Sequence, residues 1–147
     1  NNIDKPDVWK GLLEPEPKMV EGKILSDSGL VNCCMDISDG LSSSLYQLGT
    51  MNNVGFEIFK KEIPSSDSFK ELDNIKKSDL DFFVLHFGGD YELLLTVDRD
   101  DFDDLKDLLE NNGGRLTGIG RVTKDKRVKI VDVDSKILEN KGYEHFK

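Results

Sequence analysis

Two aspartates and a serine fall within four residues in "MDISDGLSSSL", residues 35 to 45. Asp36 and Asp39 stand three positions apart, with Ser38 between them and Gly40 after them. Two carboxylates so placed suit Mg²⁺, which takes one or two carboxylates and completes its octahedron with water and phosphate oxygens. A serine beside them can offer its hydroxyl or backbone N–H to a phosphate, while the ion cancels the charge that two bare acids would repel. The plainer reading is a helix cap, because Asp39 is an ordinary N-cap choice and Gly40 relieves crowding in a turn. Asp36 fits the cap reading less well, since a carboxylate at the end of an apolar strand is costly unless it is exposed or paired. Spacing alone leaves both readings open.

These residues need elements to hold them. "LVNCCMDI" is rich in β-compatible apolar residues and reads as a short buried strand, and "DGLSSSLYQLGTMN" puts Leu41, Leu45 and Leu48 on one helical face. A strand is therefore expected to run straight into a helix at residues 36 to 40, where unpaired N–H groups suit phosphate oxygens. The carboxyl ends of strands are also where open α/β sheets bind ligands. Upstream, Met19, Val20, Ile24 and Leu25 recur at helical spacing, with Gly29 placed to end the helix. Residues 1–13 read as a linker or N-terminal extension, with Trp9 and Leu12 packing back, and residues 14–147 as one domain.

Downstream, "VGFEIFK" alternates as a strand, and "IPSSDS" is loop with an N-cap at Ser66 or Asp67. Short helices are expected between Phe69 and Phe83, and "YELLLTV" is a strand. "DRDDFDDLKDLLENNGG" gives a helix with an acidic first turn and with Phe102, Leu105, Leu108 and Leu109 on one face. Two further strands, "RLTGIGRV" and "RVKIVDV", are joined by "TKDK" and predict an antiparallel hairpin. The fold class expected is α+β, a mixed β-sheet covered by helices.

Composition narrows the function. At 147 residues, with 37% hydrophobic and 33% charged residues, the chain has the makeup of one globular domain. Its formal charge of −9 argues against a general nucleic-acid binder, which needs a basic face. No apolar run approaches the roughly 20 residues that span a bilayer, and "NNIDKPDVWKG" has no signal-peptide character, so a cytoplasmic protein without membrane partners is expected. Cys33 and Cys34 are neighbours that a disulfide would strain; they read as small buried side chains in a reducing compartment. No phosphate-binding loop of the G-x-x-x-x-G-K-[ST] type is present, and "GIGRVT" reads as a strand edge. His86 reads as a packing or hydrogen-bonding residue, and "DRDDFDD" as a solvated helix face.

"MDISDGLSSSL" together with "FGGDYELLLTV" resembles the C-terminal half of the thiamine-monophosphate kinase family, within the aminoimidazole-ribonucleotide-synthetase superfamily. "PEPKMVEGK", "GIGRV" and "KGYEHF" resemble further landmarks of that family in the same order, so the resemblance runs from residue 14 to 146. It implies the C-terminal domain fold of that superfamily and Mg²⁺-dependent transfer of the ATP γ-phosphoryl group to thiamine monophosphate, giving thiamine diphosphate. By the same resemblance Asp36 and Asp39 bind Mg²⁺, Ser38 contacts ATP, and Gly89 and Asp90 border the thiamine phosphate. Tyr143 is implied to lie near the substrate's rings, where a cationic thiazolium and a flat pyrimidine both favour a π face. No protein nucleophile is implied, since such chemistry rests on positioning and charge neutralisation.

The sequence departs from the family at two places: Gly89 stands where an acid is frequent, and Ser44 where an aspartate is common. The family also has an N-terminal half that supplies much of the ATP and metal site and the dimer contact. The implied partners are thus ATP, thiamine monophosphate, that N-terminal domain and, in the full-length protein, a second subunit of a homodimer. The fragment alone is expected to lack turnover. Two alternatives are a non-catalytic ligand-sensing or docking module of the same fold, and a related ATP-dependent enzyme with another acceptor.

Overall fold

In the computed structural model, residues 14–65, 76–89 and 91–142 are described. The chain begins with helix α1 (Met19–Ser28) and strand β1 (Val31–Asp36), then helix α2 (Leu41–Asn52) and strand β2 (Gly55–Phe59). Helix α3 (Lys77–His86) and strand β3 (Leu93–Val97) follow, then helix α4 (Phe102–Asn111) and strands β4 (Gly120–Thr123), β5 (Val128–Val131) and β6 (Ser135–Ile137). Single 3-10 turns at Lys60–Glu62 and Arg99–Asp101 close β2 and open α4.

The strands form two sheets: an antiparallel ribbon of β1 and β3, and a mixed sheet in the order β4-β2-β5-β6. The architecture is the expected α+β one, a mixed sheet with helices packed on it. The expected hairpin of β4 and β5 is not formed. β2 lies between them, antiparallel to β4 and parallel to β5. Adjacent strands are about 4.8 Å apart, so residues 124–127 are long enough to bridge two strand positions and cross over a third strand. They pass over Gly55, where a Cβ would lie 1.8 Å from the Asp125 carbonyl oxygen, and Phe56 N donates to the Arg127 carbonyl oxygen at 3.0 Å. Gly55 is the residue that this crossing requires. Strand β6, too short to read in the sequence, adds to the far side of β5.

Period-two alternation gives the mixed sheet one apolar face. Phe56, Ile58 and Val128 turn inward onto Leu41, Leu45 and Leu48 of α2 and Leu85 of α3, forming the larger core. Glu57, between them, faces outward, and its Oε2 accepts from both Nε and Nη2 of Arg121 on β4, at 2.9 and 2.7 Å. A smaller core joins Leu25 of α1 to Leu105 and Leu109 of α4, with Val31, Leu93, Leu95 and Val97 of the ribbon against it. The ribbon serves both cores because its register shifts between Val31 and Cys33, so Cys33 and Met35 pack on the larger core while Val31 packs on the smaller.

Three expectations need correction. Met19 and Val20 are exposed, because α1 packs through Ile24 and Leu25 and nothing described covers its first turn. β1 is half-exposed rather than buried, since it pairs with β3 alone and Asn32, Cys34 and Asp36 face outward. For the same reason Cys34 is exposed and Cys33 only half-buried, and both are free thiols. Trp9, Leu12, Ser66 and Asp67, with most of the expected short helices before α3, lie outside the described residues. No described helix is long and apolar enough to cross a membrane.

Candidate functional site

Four residues, Ile37 to Gly40, connect the end of β1 to the start of α2. Ile37 N still donates to the Glu92 carbonyl oxygen at 2.8 Å, which carries the ribbon ladder one step past Asp36. The chain then turns through Ser38 and Asp39 to Gly40. Gly40 holds φ 93°, and a Cβ there would come within 2.6 Å of the His86 carbonyl oxygen. It is the N-cap of α2, and no side chain caps that helix. The cap expected at Asp39 is therefore absent: Gly40 occupies the cap position in a conformation that suits glycine, which leaves the Asp39 carboxylate one residue outside the helix. Asp36 and Ser38 are exposed and Asp39 is half-buried, so the turn lies at the edge of the protein rather than in its core.

A second segment closes on this turn. Beyond α3 the chain runs extended through Phe87, and Gly89 N donates to the Ser38 carbonyl oxygen at 3.0 Å. Gly88 lies so close beneath that a Cβ on it would be 2.0 Å from the same oxygen and 2.9 Å from Asp39 Cα. No other residue type fits there. A third segment arrives at Gly142, whose hypothetical Cβ would be 2.5 Å from the Asp39 carbonyl oxygen. Asp36, Ser38, Asp39 and Gly89, proposed from sequence, thus share one place in the fold. Asp90 and Tyr143 lie outside the described residues, although each directly follows a residue of this site.

Sequence reasoning missed Ser42, the partner of His86; His86 itself is expected to pack or hydrogen-bond and does so. Ser42 is fully buried on the first turn of α2, and its Oγ lies 2.8 Å from Nδ1 of His86 in the last turn of α3. Burial first, then the Lys141 ammonium, hold the His86 imidazole below its ordinary range, with the Glu139 carboxylate opposing. The available signal was "SSS" directly after Leu41, three small polar residues where the helix enters the core. Ser44 is buried as well, with its Oγ 3.4 Å from the Asp36 carbonyl oxygen. Beside the site, partial burial first, then Cys33 and the Asp36 carboxylate, push the Cys34 thiol up from its ordinary range. Glu92 is exposed, as expected of a solvent-facing strand residue, and pairs with Lys18 at 3.2 Å.

The donor set fits Mg²⁺ better than a softer metal. Among the described residues no group of three or more His, Cys, Asp or Glu could hold a metal. Two surface carboxylates without a third protein ligand match an ion that keeps several waters and takes the rest of its shell from phosphate. A structural zinc site would need a closed set of four nitrogen or sulfur ligands. The start of α2, from Gly40 to Leu45, is itself buried, so only its partial positive charge reaches the Ser38–Asp39 turn.

The sequence profile of the AIR synthase related protein, C-terminal domain, matches residues 2–133. The thiamine-monophosphate kinase of Methanospirillum hungatei is 32% identical over 137 residues, which cover 93% of this chain and 42% of that protein. The structure of AaThiL complexed with AMPPCP and TMP superposes with a TM-score of 0.78 at 27% identity, over 99% of this chain and 44% of that one. Escherichia coli HypE, a hydrogenase maturation protein, has a TM-score of 0.69 at 18% identity, over 88% of this chain and 41% of that one, a likeness of fold alone. The chain spans about two fifths of the length of these relatives.

Proposed function

The chain belongs to the AIR synthase related protein, C-terminal domain family, and from that premise we propose that it is the C-terminal part of a thiamine-monophosphate kinase. The reaction is phosphoryl transfer from ATP to thiamine monophosphate, giving thiamine diphosphate. One observation carries the reading: Asp36 and Asp39 lie at the surface on either side of Ser38, at an uncapped helix end, with the Gly88–Gly89 backbone bonded to the same turn. Relatives that share this segment order include kinases named for that substrate, and the ATP analogue and TMP occupy AaThiL.

In this reading Asp36 and Asp39 hold Mg²⁺, which supplies neutralisation of the negative charge on the transferring phosphoryl group. Ser38 offers its hydroxyl to an ATP phosphate, and the start of α2 adds partial positive charge there. Gly89 and Asp90 border the thiamine phosphate, and Tyr143 lies against the acceptor's rings. The tight approach of Gly88 to Ser38 keeps donor side and acceptor side close, which favours direct transfer over hydrolysis.

The test is to join this chain to the amino-terminal half of a thiamine-monophosphate kinase and follow the γ-phosphoryl group of labelled ATP. Label is expected on thiamine diphosphate, only with Mg²⁺ present. Calorimetry with the AMPPCP complex would then show heat on adding thiamine monophosphate. No label transfer and no heat with this acceptor would instead support the docking-module reading, and transfer to a different acceptor would support the related-enzyme reading.

A further inference from the structure

Three contacts tie the turn before α2 to the end of α3, and they run in order. Ser38 accepts from Gly89 N at 3.0 Å; Gly40 abuts the His86 carbonyl, leaving no room for a Cβ; and Ser42 Oγ meets His86 Nδ1 at 2.8 Å. The first two are backbone contacts that any sequence with these glycines would make. The third joins two side chains 44 residues apart, one of them fully buried, and it is the one that depends on residue identity. It also lies where leverage is greatest. Ser42 is two residues into the helix whose uncapped end faces Ser38, and His86 is two residues before Gly88.

We infer that Ser42 and His86 form a positioning pair that fixes the Ser38–Gly40 turn against the Phe87–Gly89 segment, and so sets the spacing between the phosphate-donor and acceptor sides of the site. The assignment of those two sides rests on the proposed function; the pair itself does not. A serine hydroxyl and an imidazole nitrogen make one directional bond between two helices that otherwise meet through apolar contacts, which slide more easily than a hydrogen bond does. Ser42 and His86 touch neither proposed ligand, so their effect passes through Ser38 and Gly89. Phe82, whose ring centroid is 5.5 Å from that of His86, limits the imidazole on its outer side.

The experiment measures amide hydrogen exchange at Gly89 by NMR in the full chain without ligands, for the parent, S42A, H86F and H86N. Asparagine keeps a polar atom where Nδ1 stands, and phenylalanine keeps the ring but not the bond. Gly89 is expected to exchange at least tenfold faster in S42A and H86F and at the parent rate in H86N, while amides of α4 in the other core stay unchanged. Equal Gly89 protection in all four proteins overturns the inference, as does equal loss in H86N and H86F. If a substitution unfolds the chain, α4 exchange rises with Gly89, and H86N against the parent then decides alone.

A second readout belongs to the joined enzyme described above. There S42A and H86F are expected to lower kcat about tenfold with KM for ATP unchanged, and H86N to restore it. A KM effect without a kcat effect would count against positioning. A parent enzyme that transfers no phosphoryl group would count against the proposed function, whereas the ligand-free exchange result still decides the pair.

Discussion

At the scale of single residues, Asp36 and Asp39 are expected to act on the metal dependence of turnover rather than on the fold. Both carboxylates are at the surface, so Asp36→Asn and Asp39→Asn should leave the thermal midpoint within a degree or two, which is what surface substitutions usually do. In the joined enzyme each should raise the Mg²⁺ concentration for half-maximal rate about tenfold or more, equivalent to roughly 1.4 kcal/mol of ion affinity. A Mg²⁺ titration of initial rates checks this. His86 makes a different prediction, in pH. Its folded value is depressed below the ordinary 6.5 by burial and by Lys141, so the unfolded chain binds the proton more readily. Its contribution to stability is therefore complete above the ordinary histidine range and is lost as pH falls below 6.5 through the folded value. Denaturant melts from pH 8 to pH 5 should show a loss that is smaller in H86N. The two aspartates stood out as candidates through their types and spacing, and the Mg²⁺ titration tests their role. The bond between Ser42 and His86 did not stand out, because a serine 44 residues from a histidine carries no local sign of it.

At the scale of elements, apolar periodicity located the helices α2 and α4 and the strand β2, each of which buries a face that the pattern marks, while β1 and β3 were located by apolar content, which overstated the burial of β1. Strand partners were harder. β4 and β5 are short, joined by four residues and antiparallel to each other, which is also the local signature of a hairpin, and only the distant β2 settles the matter. Two substitutions probe this level. Leu105 is wholly buried between α1 and α4, so Leu105→Ala should lower stability by about 2–5 kcal/mol, read from urea midpoints at constant m-value. Gly88→Ala would drive a methyl group into the Ser38 carbonyl, so the 87–89 segment must swing away. The signature expected is loss of Gly89 amide protection and of acceptor binding, with the fold of both cores kept.

At the scale of the whole molecule, the chain corresponds to about two fifths of its relatives, and the site it carries is open at the surface with two carboxylates and no third metal-ligating group among the described residues. In the proposed reading this is one side of a cleft completed by the amino-terminal half. The isolated chain is accordingly expected to give no thiamine diphosphate under conditions where the joined enzyme does, with chromatography of the reaction as the check. The overall charge of −9, which looked hostile to a triphosphate, is no obstacle in this reading because the ion and the helix end supply the local positive field. The family and the fold class were legible from motif order along the sequence. The way two small cores share one ribbon was not, since it turns on a register shift at Asn32 that no pattern of residue types reveals.

The crossing of residues 124–127 over Gly55 carries a consequence for the order of assembly. β4 cannot take up its native neighbour before β2 is in place, and β5, although it can pair locally with β6, still needs β2 on its other edge; β2 comes far earlier in the chain, so closing this sheet requires a long excursion of polypeptide to be immobilised. Stopped-flow refolding should reveal a slow phase of milliseconds to seconds, and a probe buried beside β2 should report it.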